Sequence, residues 1–203
     1  TITLTPTPGV PLGLPFTDDL SSDLGWSYDT EWERGAATAS SGQTNPGGCG
    51  DPALDHSPTG DDMEAGVVIG GNAATTLHAF DYMTSPAMNA MGFPSLELRF
   101  WRQLNSDYTN YMESVIEVFN GASWITLYTN GSSAVVDCGW RELAYDLTPY
   151  MNATLRIRFG HRVGSSGVYK VSSWNLDDIY IGPPAGTTTS TPTSLPTFSA
   201  TVT

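Results

Sequence analysis

Val115-Ile-Glu-Val-Phe-Asn120-Gly121-Ala-Ser-Trp124-Ile-Thr-Leu-Tyr128 is two runs of β-branched and aromatic residues joined through Asn-Gly. Such runs suit the pleated surface of a strand, and Asn-Gly accepts the positive φ angles of a type I′ turn. The stretch therefore predicts an antiparallel hairpin.

Similar runs recur at Gly66 to Ile69, Leu77 to Tyr82, Leu96 to Leu104, Leu155 to Phe159, Val168 to Trp174 and Ile179 to Ile181. Each alternates apolar and polar residues or is rich in strand-forming side chains. The 203 residues include 21 Gly and 14 Pro, and no stretch shows the spacing of a long helix. Short strands separated by frequent turn residues predict an all-β, two-sheet antiparallel sandwich in a single domain. That domain is placed at residues 16–182, between extended Thr/Pro-rich segments at 1–15 and 183–203.

Charge narrows the partners. A formal net charge of −13, with eight Lys and Arg, disfavours nucleic acid and anionic membrane surfaces, which both require clustered basic side chains. No apolar run is long enough to span a bilayer, and no basic-then-apolar leader opens the chain. A first residue of Thr reads as a processed or excised piece of a longer product. Cys49 and Cys138 lack the close spacing of zinc or redox pairs, which leaves one disulfide or two free thiols. The disulfide is favoured, and with it an oxidising, extracellular or cell-surface location.

Chemistry-bearing motifs are sparse. His56, His78 and His161 are widely scattered and read as ordinary structural histidines, and HExxH, GxSxG and phosphate-cradling loops are missing. The chain is therefore read as having no catalytic residues. Asn130 and Asn152 head two N-x-S/T sequons and are candidate glycosylation sites. Trp26, Trp101, Trp124, Trp140 and Trp174 fall in strand-like runs and read mostly as core. Tyr108 and Tyr111, in a polar loop, are the candidate glycan contacts. Residues 36–64 form a long excursion around Cys49, and long ordered loops usually carry a function.

The succession Asp18-Asp19-Leu20, Leu24-Gly25-Trp26, Trp32-Glu-Arg-Gly35, Asp55-His56-Ser57, Leu96 to Trp101, Leu155 to Phe159 and Trp174-Asn-Leu-Asp-Asp-Ile179 resembles the MAM-type jelly-roll domain and its bacterial secreted and adhesin relatives. The resemblance implies a jelly-roll sandwich in which the first acidic residue, the Asp-His-Ser loop and the last strand meet at a cation. It carries over to Asp18, Asp55 and Asp178 as ligands of a structural calcium, an ion that prefers oxygen donors. Without the resemblance these residues also read as surface charges and a turn cap.

The favoured function is structural, as the protomer of an extracellular filament. Ile2 and Leu4 at one end, and Phe198 and Val202 at the other, alternate as a strand does when it adds to a neighbour's sheet edge. Head-to-tail donation would make the chain the protomer of an extracellular filament, with copies of itself as partners. The alternative is a carbohydrate-binding or adhesive module of a secreted multidomain protein.

Overall fold

The computed structural model describes residues 9–42 and 48–185. Its twelve strands are β1 (Phe16–Asp18), β2 (Ser27–Tyr28), β3 (Trp32–Ala36), β4 (Met63–Val67), β5 (His78–Thr84), β6 (Glu97–Ser106), β7 (Met112–Phe119), β8 (Trp124–Thr129), β9 (Val135–Val136), β10 (Arg141–Asp146), β11 (Arg156–Val163) and β12 (Trp174–Gly182). One short 3₁₀ turn, Thr148–Tyr150, follows β10.

Two antiparallel sheets face each other, as the alternation predicted. The larger runs β10-β6-β12-β4-β3, with β1 also on β12 and β9 on β6; the smaller runs β2-β5-β11-β7-β8. Neither contains a parallel pair among its strands. The core between them is organised around Phe159 on β11. Its ring lies 5.1 Å from that of Phe100, 5.8 Å from Trp174, 6.2 Å from Trp26 and 6.5 Å from Trp32. Tilted and edge-on contacts of this kind satisfy the ring quadrupoles while excluding water.

Several expectations shift. The hairpin exists as β7–β8, but Gly121 has positive φ while Asn120 does not, so the turn is not type I′. Instead the Asn120 side chain accepts the Ala122 and Ser123 N–H groups and closes the loop itself. Val168 to Ser173 is irregular; the buried Val171 and Ser172 reflect depth rather than pairing, and the strand begins only at Trp174. The strand Arg141–Asp146 has no counterpart among the predicted runs, because its burial alternates only between exposed and half-buried.

Cys49 and Cys138 form a disulfide with Cα atoms 5.3 Å apart, joining the excursion between β3 and β4 to the turn before β10. The sequence separation of 89 makes the cross-link a strong constraint on the unfolded chain, worth about 4 to 5 kcal/mol in the loop-entropy model. A Cys49→Ser, Cys138→Ser double variant should keep the far-ultraviolet spectrum of the sandwich and lose about that stability in urea unfolding. A double variant as stable as the parent would show that the bond is energetically idle.

Candidate functional site

The last strand contains the break on which the site is built. Trp174, Leu176, Ile179 and Ile181 all enter the core, a spacing of two, three and two that requires one extra residue between Leu176 and Ile179. That residue is accommodated by a register shift against β6 between Asp177 and Tyr180, with Asp178 at φ 48. Aspartate is among the few side chains that tolerate this left-handed backbone. On the other side of β12, pairing passes from β4 at Asn175 and Leu176 to β1 at Ile179 to Ile181. Asp177, the last residue to pair with β6 before the shift, and Asp178 thus sit between the end of β4 and the start of β1.

The Asp55-His56-Ser57 loop fills that gap. Asp177 accepts the backbone N–H groups of His56 at 2.8 Å and Ser57 at 2.9 Å on one oxygen, and its own neighbour's N–H at 2.7 Å on the other. Asp178 takes the His56 ring at 2.7 Å and the Ser57 hydroxyl at 3.2 Å. The His56 ring then lies flat on Trp101, with centroids 3.6 Å apart.

Beside this junction an open groove of about 450 Å³ runs over the outer face of the larger sheet. Its floor follows from register: Trp101 pairs with Glu142 of β10, Arg99 with Tyr180 of β12, and Tyr180 with Thr17 of β1. Directly opposed residues share a face, so these side chains stand side by side. The Arg99 guanidinium lies 5.0 Å from the Tyr180 ring centroid and reaches Glu142 at 3.5 Å. Asp18, Asp19 and Asp178 complete the rim. The result is an acidic trough with two aromatic rings and one tethered arginine.

Burial sets the local acidities. It raises the Asp18 carboxyl above its usual range, opposed by hydrogen bonds from Leu20 N–H and the Trp26 indole. It also raises Asp55, with Asp62 and Asp61 adding like charge. Asp177 is pushed up to about 6 by burial, despite its N–H donors. Glu64, fully buried on β4 beneath the same loop, is pushed up to about 9, first by burial and then by Asp51, Asp177 and Asp55. Both its carboxyl oxygens lack a hydrogen-bond partner.

The three residues expected to share a cation lie around this junction. Asp18 and Asp178 line one groove, and Asp55 is electrostatically coupled to Asp178. Among the described residues, however, only Glu31, His78 and His161 bring three such side chains' ligand atoms within 4.8 Å of one another. Hydrogen bonds from amide, indole, hydroxyl and imidazole groups engage the oxygens of Asp18 and Asp178.

Asn130 is buried, its amide nitrogen bonding the Asp107 and Met112 carbonyls and the Ser106 hydroxyl. The amide nitrogen of Asn152 is likewise engaged, by the Phe119 and Tyr150 carbonyls. Tyr108 and Tyr111 pack edge to face at 4.9 Å but lie outside the groove lining. Ile2, Leu4, Phe198 and Val202 fall outside the described residues. Trp26 and Trp174 are core, whereas Trp101, Trp124 and Trp140 are only half-buried. Arg99, Glu142 and Tyr180 escaped the sequence reading; the outward positions of β6 and β12 were the signal for Arg99 and Tyr180, and nothing marked Glu142 on β10.

No protein-family model and no curated protein matches the chain. Among solved structures, the K1 cleaved adhesin domain of Lys-gingipain from Porphyromonas gingivalis W83 is similar at TM-score 0.49 and 12% identity, over 83% of this chain and 98% of that one. The CBM22-1 xylan-binding domain of Paenibacillus barcinonensis Xyn10C is similar at TM-score 0.41 and 11% identity, over 86% and 97%. A CBM35 from Paenibacillus barcinonensis is similar at TM-score 0.39 and 16% identity, over 83% and 98%. Likeness this distant carries nothing about ligand or partner.

Glu64 gives the molecule an alkaline sensitivity. Its folded-state acidity lies near 9 against 4.5 for an ordinary glutamate, so the unfolded chain loses this proton first and stability falls as pH rises between those values. From pH 7 to 9, beyond the range of Asp177, the loss is up to roughly 2 to 3 kcal/mol, or roughly 5–10 °C in melting temperature. Glu64→Gln should flatten that slope and melt higher at pH 9. Parallel melting curves for parent and variant across this range would contradict the assignment.

Proposed function

We propose that the chain is an extracellular, non-catalytic binding module that takes a neutral saccharide in the outer-face groove. The observation that carries this reading is the alignment of Trp101 and Tyr180 on the floor of a trough rimmed by Asp19, Asp178 and Glu142. A pyranose presents an apolar face that stacks on aromatic rings, while carboxylates accept hydrogen bonds from its hydroxyls. The rim acids and the net charge of −13 disfavour sulfated or uronic chains, which would meet like charge.

The Cys49–Cys138 disulfide fits an oxidising compartment. A MAM-like jelly roll is the family type this reading favours, supported by the contact of the Asp55-His56-Ser57 loop with Asp177 and Asp178. The filament reading favoured from the sequence rests on terminal residues outside those described, whereas the groove supports its alternative, binding by a single chain.

The test is affinity electrophoresis and calorimetry against a panel of neutral and acidic oligosaccharides. A neutral ligand should bind the parent, and Trp101→Ala and Tyr180→Ala should each weaken it at least about tenfold, as loss of one stacking ring does. Both variants should melt within a few degrees of the parent, since the rings lie on the sheet's outer face. Retention of no neutral glycan, or unchanged affinity in both variants, would sink the proposal.

A further inference from the structure

Away from the groove, three chain segments bring Glu31, His78 and His161 together. Glu31 lies in the turn entering β3, which is fixed by Asp29 N–H to the Tyr82 carbonyl, Tyr82 N–H to the Asp29 carboxylate and Val68 N–H to the Glu31 carbonyl. His78 opens β5 and pairs with Val163, and His161 lies on β11 opposite Asp81. The positions are therefore set by backbone pairing before any side chain interacts.

The facing atoms have no hydrogen-bond partner: the Glu31 Oε2, His78 Nε2 and His161 Nε2 atoms are all buried and unsatisfied. The His161 side chain is 3% exposed. The Oε2 atom stands 3.4 Å from His78 Nε2 and 3.5 Å from His161 Nε2. A sound N–H to O hydrogen bond is about 2.7–3.2 Å, so these separations are long for one. They match the edge of a tetrahedron whose centre lies about 2.0–2.2 Å from each corner, an edge of about 3.3–3.5 Å and the spacing of ligands around zinc.

The tautomer agrees. His78 Nδ1 lies 2.7 Å from the Ala79 carbonyl, an acceptor only, so that nitrogen carries the proton. In the neutral ring the Nε2 lone pair then faces the Glu31 carboxylate and the second imidazole. With His161 in the same tautomer the three facing atoms would all be lone-pair donors, a set that a cation satisfies, and a backbone carbonyl on the far imidazole nitrogen is the usual support of a metal-bound histidine.

We propose that Glu31, His78 and His161 form a site for a divalent transition metal, zinc foremost, with water completing the coordination. Two imidazoles and one carboxylate favour zinc over calcium, which seeks oxygen donors alone. The site clamps the sandwich: Glu31 leads into the larger sheet, whereas His78 and His161 belong to the smaller one.

The experiment strips the full chain with chelator, adds zinc chloride or calcium chloride, and reads bound metal by mass spectrometry after dialysis alongside thermal melting. The parent should retain about one zinc per chain and melt roughly 5–10 °C higher at a hundredfold excess over the dissociation constant, while calcium has no such effect. Half-buried His78→Ala and Glu31→Gln should fold and lose at least about a hundredfold in zinc affinity. A parent that retains no stoichiometric zinc, variants that bind as tightly as the parent, or an equal response to calcium would each overturn the site.

Discussion

The acceptance of two loop N–H groups by the Asp177 carboxylate is the contact from which the rest of the binding face follows. It fixes the Asp55-His56-Ser57 segment at the point where β12 is released by β6 and not yet taken up by β1. From there His56 covers one face of Trp101, and Asp178 turns outward to the rim. Without this anchor the polar outward row of β12 would face water, and the long excursion would be tied mainly by its disulfide and by Asp51, which accepts from Ser173 and Asn175.

The larger sheet consequently buries side chains on both faces. Its inner face is apolar, with Leu98, Phe100, Trp174 and Leu176; its outer face holds Asn175, Asp177 and Glu64 under the excursion. Polar groups in such a layer are stable only when partnered. Asp51 and Asp177 achieve this with amide and hydroxyl donors, whereas Glu64 lacks a partner and sheds its charge instead by holding its proton. The Glu31 cluster solves the same problem between the sheets with a shared cation.

Much of the fold was legible because apolar alternation reports which side of a strand meets the core. Phe100, Phe159 and Ile116 all lie in runs recognised by that pattern. The site was less legible because its residues occupy the complementary positions, which alternation describes only as polar. Arg99 and Tyr180 become neighbours through a bulge whose only local trace is the three-residue step from Leu176 to Ile179. The histidines looked unrelated because 47 residues separate His78 from Glu31 and 83 separate it from His161, while pairing of β5 with β11 cancels that distance. Asn130 shows the converse: its sequon is local, yet its amide is spent on Asp107, Met112 and Ser106.

The donors that hold the excursion on Asp177 are neutral peptide and hydroxyl groups rather than opposite charges. Their attraction acts over hydrogen-bond distances, well inside a Debye length of about 10 Å at 0.1 M salt, so dissolved ions leave it almost untouched. Salt acts instead on the repulsion of Asp55 by Asp61, Asp62 and Asp178, and on the arginine–carboxylate pairs elsewhere in the sheets, such as Arg158 with Glu117. The junction between the excursion and the last strand therefore keeps its hold across a range of ionic strength in which surface ion pairs fade.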